Sequence, residues 1–342
     1  MSTNKVLSII VPSYNMEQYL TKCLDSLIIS SIDLIDVIIV NDGSKDSTSE
    51  IAHKYSDKYP DTFRVIDKQN GNYGSCINAG IKEARGKYVK ILDADDYFDT
   101  SNFNDFVVRL SEIDCDLVVS DYDMVDSTDC VSFSWKLKEG IDGKTYTNDV
   151  LFSMLCSGTF QMHAVTYKVS NIRKLNYQQL EGISYTDQQW MFVPMSVVNT
   201  MYYFNKVVYK YLVGREGQTV SSDAYARNSG AVMTISNKMV NDYRLLNTNN
   251  PYLSFRMIRQ LELLYYVFLI KKSDNEAIAG LRQFDDRLKD VLPDFYERLN
   301  DTILLGYPFR YINYWRRKKR IGNSLVFKAI RKALKIRKKY IR

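Results

Sequence analysis

Residues 37–96 read VIIVNDGSKDSTSEIAHKYSDKYPDTFRVIDKQNGNYGSCINAGIKEARGKYVKILDADD, and this stretch decides the fold. VIIV (37–40), FRVID (63–67) and YVKIL (88–92) are short apolar, β-branched runs of the kind that form strands. Residues 47–59 and 75–84 lie between them with helical spacing. Upstream, LSIIV (7–11) reads as a strand, followed by a helical pattern over 17–30 through Leu20, Cys23, Leu24, Leu27 and Ile28. Downstream, DLVVSDY (116–122) reads as a fifth strand. Strands spaced by helices predict an α/β fold whose mostly parallel sheet is covered on both faces. Ligands of such sheets collect beyond the carboxyl ends of the strands, so the polar clusters there are the places to look.

The chain of 342 residues is 45% hydrophobic and 25% charged with six prolines, enough for a sizeable core and unlike a disordered or disulfide-stapled protein. Its longest apolar runs, 263–270 and 37–40, fall short of the roughly 20 residues of a membrane span. MSTNKVLSIIVPSYN at the start lacks the pattern of a secretory signal. Five cysteines without a C-x-x-C pair read as reduced thiols of a cytoplasmic protein. Two histidines, His53 and His163, are too few for a multi-histidine zinc site and argue against a Ser-His-Asp triad.

Four polar clusters follow the strands. They are Pro12-Ser13-Tyr14-Asn15, Asn41-Asp42-Gly43-Ser44, the loop from Asp67 to Gly74, and Asp93-Ala94-Asp95-Asp96. Three carboxylates within four residues repel one another, and burial would raise their pKa values unless a cation offsets the charge. A divalent ion with oxygen preference, Mg²⁺ or Mn²⁺, answers that need and brings phosphate oxygens as further ligands. The alternative is an acidic N-cap cluster for a helix beginning near Ser101. Asp42-Gly43-Ser44 reads either as a turn with Ser44 capping the next helix, or with Asp42 accepting from a nucleobase edge. Asn70-Gly71-Asn72-Tyr73-Gly74 is a loosened loop that lets a phosphate or sugar approach the backbone.

Together SIIVPSYN (8–15), VIIVNDGSKDST (37–48) and NGNYGSCINAGIKEARGKYVKILDADD (70–96) resemble the family 2 glycosyltransferases, nucleotide-sugar-dependent enzymes with the A-type glycosyltransferase fold. The resemblance runs over about the first 125 residues. It implies a Rossmann-like nucleotide-sugar domain in which Pro12, Tyr14 and Asp42 hold the uridine of a UDP-sugar. It implies that Asp93, Asp95 and Asp96, with Ala94 between them, supply the metal and ribose contacts, Asp95 and Asp96 being favoured for the ion. Asn70 and Asn78 join the donor site. Asn78 stands where the family has the Asn of A-R-N-x-G, but Cys76-Ile77 replaces the Ala-Arg before it.

Beyond residue 125 two strings still resemble the family. GISYTDQQWMFVP (182–194) matches the segment of the catalytic base, which makes Asp187 that base; the plain reading is that Thr186 and Asp187 cap a helix through Val197. YKYLVGREGQTVS (209–221) matches a closing strand and loop, placing Arg215 at the donor phosphates and Gln218 and Ser221 at the phosphate or acceptor. His163 is either a satisfied structural residue or an acceptor or phosphate contact. Family membership implies inverting transfer from a UDP-sugar to a lipid-linked glycan in a surface polysaccharide, capsule or teichoic acid. Rival readings are transfer to a protein or polyprenyl phosphate, and a non-catalytic membrane assembly subunit.

The expected domains are 1–220, split into nucleotide-sugar binding (1–125) and acceptor side (126–220), then a helical region (221–305) and a basic tail (306–342). From Phe309 to Arg342 the chain has 14 Lys/Arg and no Asp/Glu, while the remaining 308 residues carry 32 basic against 40 acidic side chains. Val326, Ile330, Leu334 and Ile341 trace one face of a helix, and Lys328, Arg331, Lys332, Lys335, Lys338, Lys339 and Arg342 fill the other. With the upstream aromatics and the block Arg316 to Arg320, this pattern suits the anionic inner face of a cell membrane. A homo-oligomer-forming helix is the alternative, and no base-reading module points to nucleic acid.

Overall fold

The computed structural model describes residues 5–156, 160–215, 222–272, 274–304, 307–318, 320–321 and 324–340. Two compact units divide the chain, Met1–Gly217 and Gln218–Arg342.

The first unit is built on one sheet of ten strands. They are β1 (Leu7–Ser13), β2 (Ile35–Asn41), β3 (Phe63–Asp67), β4 (Tyr88–Ile91), β5 (Tyr97–Phe98), β6 (Leu117–Val125), β7 (Val131–Trp135), β8 (Thr145–Thr147), β9 (Val165–Lys168) and β10 (Thr200–Leu212). The order β3-β2-β1-β4-β9-β6-β10-β5 places a parallel block, β3 to β4, beside the long parallel pair β6 and β10. The short strands β5, β7, β8 and β9 pair antiparallel. Every residue of β1 and β2 is buried, as expected for central strands covered on both faces. At the amino ends of these strands Ser8 Oγ donates to Asp36 (2.7 Å) and Arg64 pairs with the same carboxylate (2.7 Å), a satisfied buried network. At the carboxyl ends the four polar clusters come together.

Three elements differ from the sequence expectation. The helix expected over 17–30 is only Leu20–Asp25, because Ser26 Oγ turns back to the Cys23 carbonyl (2.6 Å) and a 3₁₀ turn, Ile32–Leu34, follows. The aromatic-rich runs YYF (202–204) and VVYKYLV (207–213), which read as two separate strand candidates, merge into one strand, β10, whose pairing with β6 shifts register between Phe204 and Val207. The helix expected from Thr186 through Val197 is a single turn, Asp187–Trp190, followed by a 3₁₀ segment, Pro194–Val197. Pro194 has no N–H to donate to the carbonyl of residue 190, which ends the α-helix there.

The second unit is helical, with long helices Ser229–Leu246, Pro251–Tyr266 and Asn275–Val291. Asn250 caps the second by accepting from Tyr252 N (2.9 Å), with Pro251 in the first turn. Asp274 caps the third through Ala277 N (2.9 Å). Asp285 is wholly buried in this unit, where its Oδ1 accepts from the Tyr265 hydroxyl and from Arg316 (2.7 Å), while Arg320 lies 3.1 Å from Oδ2. Two arginines of the 316–320 block are therefore spent on Asp285 and its neighbour Asp286, not presented outward. The last helix, Leu325–Tyr340, buries Phe327 against Tyr314, and Arg331 donates to the Leu269 carbonyl (2.9 Å). Leu325, Lys328 and Lys332 stay exposed, and Ile330 and Leu334 are half-buried. Lys319, Ile341 and Arg342, and the side chains of Lys335, Lys338 and Lys339, lie outside the described residues. Among the described residues no helix is long and apolar enough to cross a membrane.

Candidate active site

The loops after β1 and β2 are laced together. Asn15 N donates to Ser44 Oγ (3.1 Å), Lys45 N to Asn15 Oδ1 (2.8 Å) and Met16 N to Thr48 Oγ1 (2.7 Å). Ser44 is used in this lacing; Asp46 serves the start of the next helix, accepting from Thr48 N (3.0 Å). Beside the loops lies a cleft of ≈ 490 Å³ lined by Tyr14, Asn41, Gly43, Lys45, Lys68 and Asn70 among others. A Cβ on Gly43 (φ +74°) would stand 3.2 Å from the Asn70 amide nitrogen and 3.3 Å from the Lys68 carbonyl, so glycine lets these two lining loops approach each other. Tyr14 is 46% exposed at the mouth, and Pro12 is buried in β1.

Asp42 is almost wholly buried, and its Oδ1 accepts from Lys68 Nζ (2.6 Å) and Gly71 N (2.9 Å). Lys68 also donates to the Gln69 carbonyl (2.6 Å) and Ser75 Oγ (2.8 Å), and Asn70 Nδ2 donates to the Asp42 carbonyl (3.0 Å). Asp42 thus fixes the glycine loop that borders the cleft. Lys68 escaped the sequence reading, although it stands in the quoted loop.

The acidic cluster is held by Tyr73 and by residues of 209–215, more than a hundred positions away. Tyr209 donates its hydroxyl proton to Asp96 Oδ2 (2.6 Å) and accepts from Asp93 N (3.1 Å), while Leu212 N donates to Asp96 Oδ1 (2.8 Å). Tyr73 donates to Asp93 Oδ1 (2.8 Å). Asp95, the residue favoured above for the ion, pairs with Arg215, whose guanidinium carbon lies 5.6 Å from the Tyr19 ring centre. Ala94 is buried. These carboxylates do not serve as a helix cap, because Asp99 caps Thr100–Glu112 by accepting from Asn102 N (3.1 Å).

Burial, with the neighbouring Asp95 charge, pushes the Asp93 carboxyl up to about 7, and Asp187 adds to the rise while Arg215 opposes it. Asp96 is likewise raised by burial and by Asp95 and Asp93. The charge of Asp187 adds to the upward shifts of Asp93, Tyr73 and Tyr211. A site that cannot hold all its carboxylates ionised without a counter-charge fits a divalent cation. Carboxylate oxygens of Asp93 and Asp96 and a ring nitrogen of His163 lie within 4.8 Å of one another. His163 is buried, stacked on Tyr211 (4.3 Å between ring centres), and kept neutral down to about 3 by burial and by the Lys90 ammonium.

The segment carrying Asp187 is clamped onto the helix Asn72–Glu83. Asn78 accepts from Gln179 N (2.8 Å) and donates to the Gln179 carbonyl (2.9 Å) and Glu181 (2.8 Å); Gly182 N donates to the Gly71 carbonyl (2.8 Å). Asn78 is thereby engaged with this segment, and the Thr186 hydroxyl accepts from Gln179 Nε2 (3.0 Å) without capping the turn. Gln218 and Ser221 lie outside the described residues. Beyond Lys68, sequence reasoning missed Tyr73, Tyr209, Tyr211 and Lys90. Only Lys90, a charge in the middle of an apolar strand, carried a signal of its own.

Residues 8–158 match the profile of Glycosyl transferase family 2. This part of the chain is a family 2 glycosyltransferase domain. It is 40% identical over 113 residues to the uncharacterized glycosyltransferase EpsJ of Bacillus subtilis, covering 33% of this chain and 33% of EpsJ. It is 40% identical over 119 residues to the minor teichoic acid biosynthesis protein GgaB of the same organism, covering 33% of this chain and 13% of GgaB. The match therefore spans a third or less of these relatives. Residues 1–349 of S. aureus TarS, solved with UDP-GlcNAc, have the same fold, with a TM-score of 0.65 at 19% identity over 96% of this chain and 91% of that one.

Proposed function

We propose that the chain transfers a sugar from a UDP-sugar to a hydroxyl of a lipid-linked glycan acceptor during synthesis of a bacterial surface polymer. What supports this reading is that the charge of Asp187 acts on the Asp93–Asp96 cluster, and that this cluster and the cleft lined by Tyr14 and Lys68 follow parallel strands on one edge of the sheet. Uridine occupies the cleft, with Tyr14 against the base and Asp42 at its edge. The GgaB match and the TarS complex make a teichoic-acid-type polymer and UDP-GlcNAc the first acceptor class and donor to try.

Each step falls to a residue of this chain. Asp187 takes the proton of the acceptor hydroxyl as that oxygen attacks the anomeric carbon. Arg215, already beside the cluster, faces charge developing on the departing diphosphate. Asp93 and Asp96 would hold Mn²⁺ or Mg²⁺, which when bound neutralises that same diphosphate. Attack from the face of the sugar away from the diphosphate would make the transfer a single displacement with inversion. Exposed Lys328 and Lys332 and the apolar Leu325 are the groups offered to an anionic membrane surface at the inner face of the cell membrane.

The test is thermal melting of the purified chain with UDP, Mn²⁺ or both, followed by UDP-GlcNAc turnover. A ligand at about 100 times its Kd stabilises the native state by about 2.7 kcal/mol, a rise of several degrees. Asp187→Asn should keep that rise while losing roughly 10²- to 10⁴-fold in transfer rate. A chain whose melting no uridine nucleotide moves, or an Asp187→Asn variant with unchanged turnover, would sink the reading.

A further inference from the structure

The histidine beside the acidic cluster has a property that packing does not explain. His163 is 5% exposed, yet its Nδ1 has no hydrogen-bond partner among the described residues. A buried polar atom left unpaired costs stability, and native structures leave few of them without a reason. The ring does not float. It is wedged between Tyr211 (4.3 Å), Tyr209 (4.7 Å) and Tyr122 (5.1 Å), and its own main-chain carbonyl accepts from Lys90 Nζ (2.7 Å).

The carboxylates that share this corner are also oriented. The two oxygens of Asp96 are fixed by Tyr209 and Leu212 N, and Asp93 by Tyr73, each oxygen keeping a second lone pair. Asp95 is drawn aside by Arg215. One nitrogen and two carboxylate oxygens lie within 4.8 Å of one another, on the scale of the ~4.4 Å that opposing ligands at about 2.2 Å from an ion span.

We propose that His163 is a direct ligand, so that the divalent cation of this site is held by one imidazole nitrogen together with Asp93 and Asp96, and that the site consequently favours Mn²⁺ over Mg²⁺. This rests on the donor-site reading above and adds the ligand set and the ion. Magnesium takes oxygen ligands almost exclusively, whereas imidazole suits transition ions, so a mixed nitrogen–oxygen set separates the two. Neutral imidazole is also the form a metal needs.

Pulsed electron paramagnetic resonance of Mn²⁺ with UDP on the full chain, labelled with ¹⁵N-histidine, tests this without any turnover. The chain has two histidines, so a His53→Gln background leaves one possible source of signal. The expected result is a ¹⁵N coupling from one bound imidazole. His163→Gln should then abolish the coupling, weaken Mn²⁺ by roughly tenfold or more, and narrow the gap to Mg²⁺. Bound Mn²⁺ without a histidine coupling overturns the proposal and leaves the donor site standing. Absence of Mn²⁺ binding with or without UDP overturns the proposal together with the metal part of that site. The wild-type spectrum decides the matter even where the variant fails to fold.

Discussion

Gly74→Ala should destabilise the protein although it replaces glycine by alanine inside a helix. By propensity alone the change within Asn72–Glu83 should stabilise by up to about 1 kcal/mol. The added Cβ would stand 1.9 Å from the Leu180 carbonyl oxygen, against an ordinary contact distance of 3.4 Å or more. The 179–182 segment must therefore retreat by about 1.5 Å, the difference of those two distances. Four hydrogen bonds of 2.8–2.9 Å hold that segment to the helix, three through Asn78 and one through Gly71. Losing two to four of them at about 1 kcal/mol each, less the propensity gain, leaves a net loss of about 1–3 kcal/mol. For a unit of this size each kcal/mol moves the midpoint by about 2–4 °C. Asp187 follows the displaced segment, and a misplacement of about 1 Å can cost roughly 10²-fold in rate, so kcat should fall while the UDP-dependent rise in melting persists. Scanning calorimetry with and without UDP checks both parts. A variant that melts at or above the parent temperature would refute the close approach and the clamp with it.

Two further outcomes follow from hydrogen-bonded carboxylates. Asp116 is held below the ordinary aspartate value because bonds from Asn171, from the Asn199 and Thr200 amides and from the Thr200 hydroxyl outweigh the upward push of burial. A depressed carboxyl stabilises the fold above its unfolded pKa of about 3.9 and loses that contribution as pH falls through its lower folded value. Asp116→Ala should thus melt lower than the parent at pH 7, and the difference should narrow only as melts are taken from pH 4 downward through the lower folded value. In the helical unit, Arg316→Met strands the buried Asp285 with Arg320 as its remaining cationic partner and should cost about 3–5 kcal/mol in urea unfolding, whereas the exposed neighbour in Arg317→Ala should change it by less than about 0.5 kcal/mol.

The parallel half of the sheet was legible because buried strands such as Leu7–Ser13 and Ile35–Asn41 leave unbroken apolar runs and the motifs fall at their ends. For antiparallel β9 the alternation along QMHAVTYK (161–168) announces a strand but not its place between β4 and β6, since four residues preceded by a 3₁₀ turn carry too little periodicity to fix a partner. At the site, the carboxylates announced themselves by their crowding. Their roles did not, because what distinguishes Asp95 from Asp96 is a guanidinium at 215 in one case and a phenol at 209 in the other. Chain spacing says nothing about which of two neighbouring side chains meets a residue more than a hundred positions away. Within the basic block the pairing of Arg316 and Arg320 was hidden for a related reason: their partners, Asp285 and Asp286, lie on another helix.

Lys90 has a consequence of a different kind. Its ammonium is fully buried between β1 and β9, bonded to the carbonyls of His163 and Val165, and burial pushes it down to about 7. Near neutrality a large share of it is therefore uncharged amine, nucleophilic but with no route to an acylating reagent. Its acylation has to wait for β4 and β9 to part, so the rate at which this single side chain is modified reads out how often the sheet opens at the strand that delivers the acidic cluster.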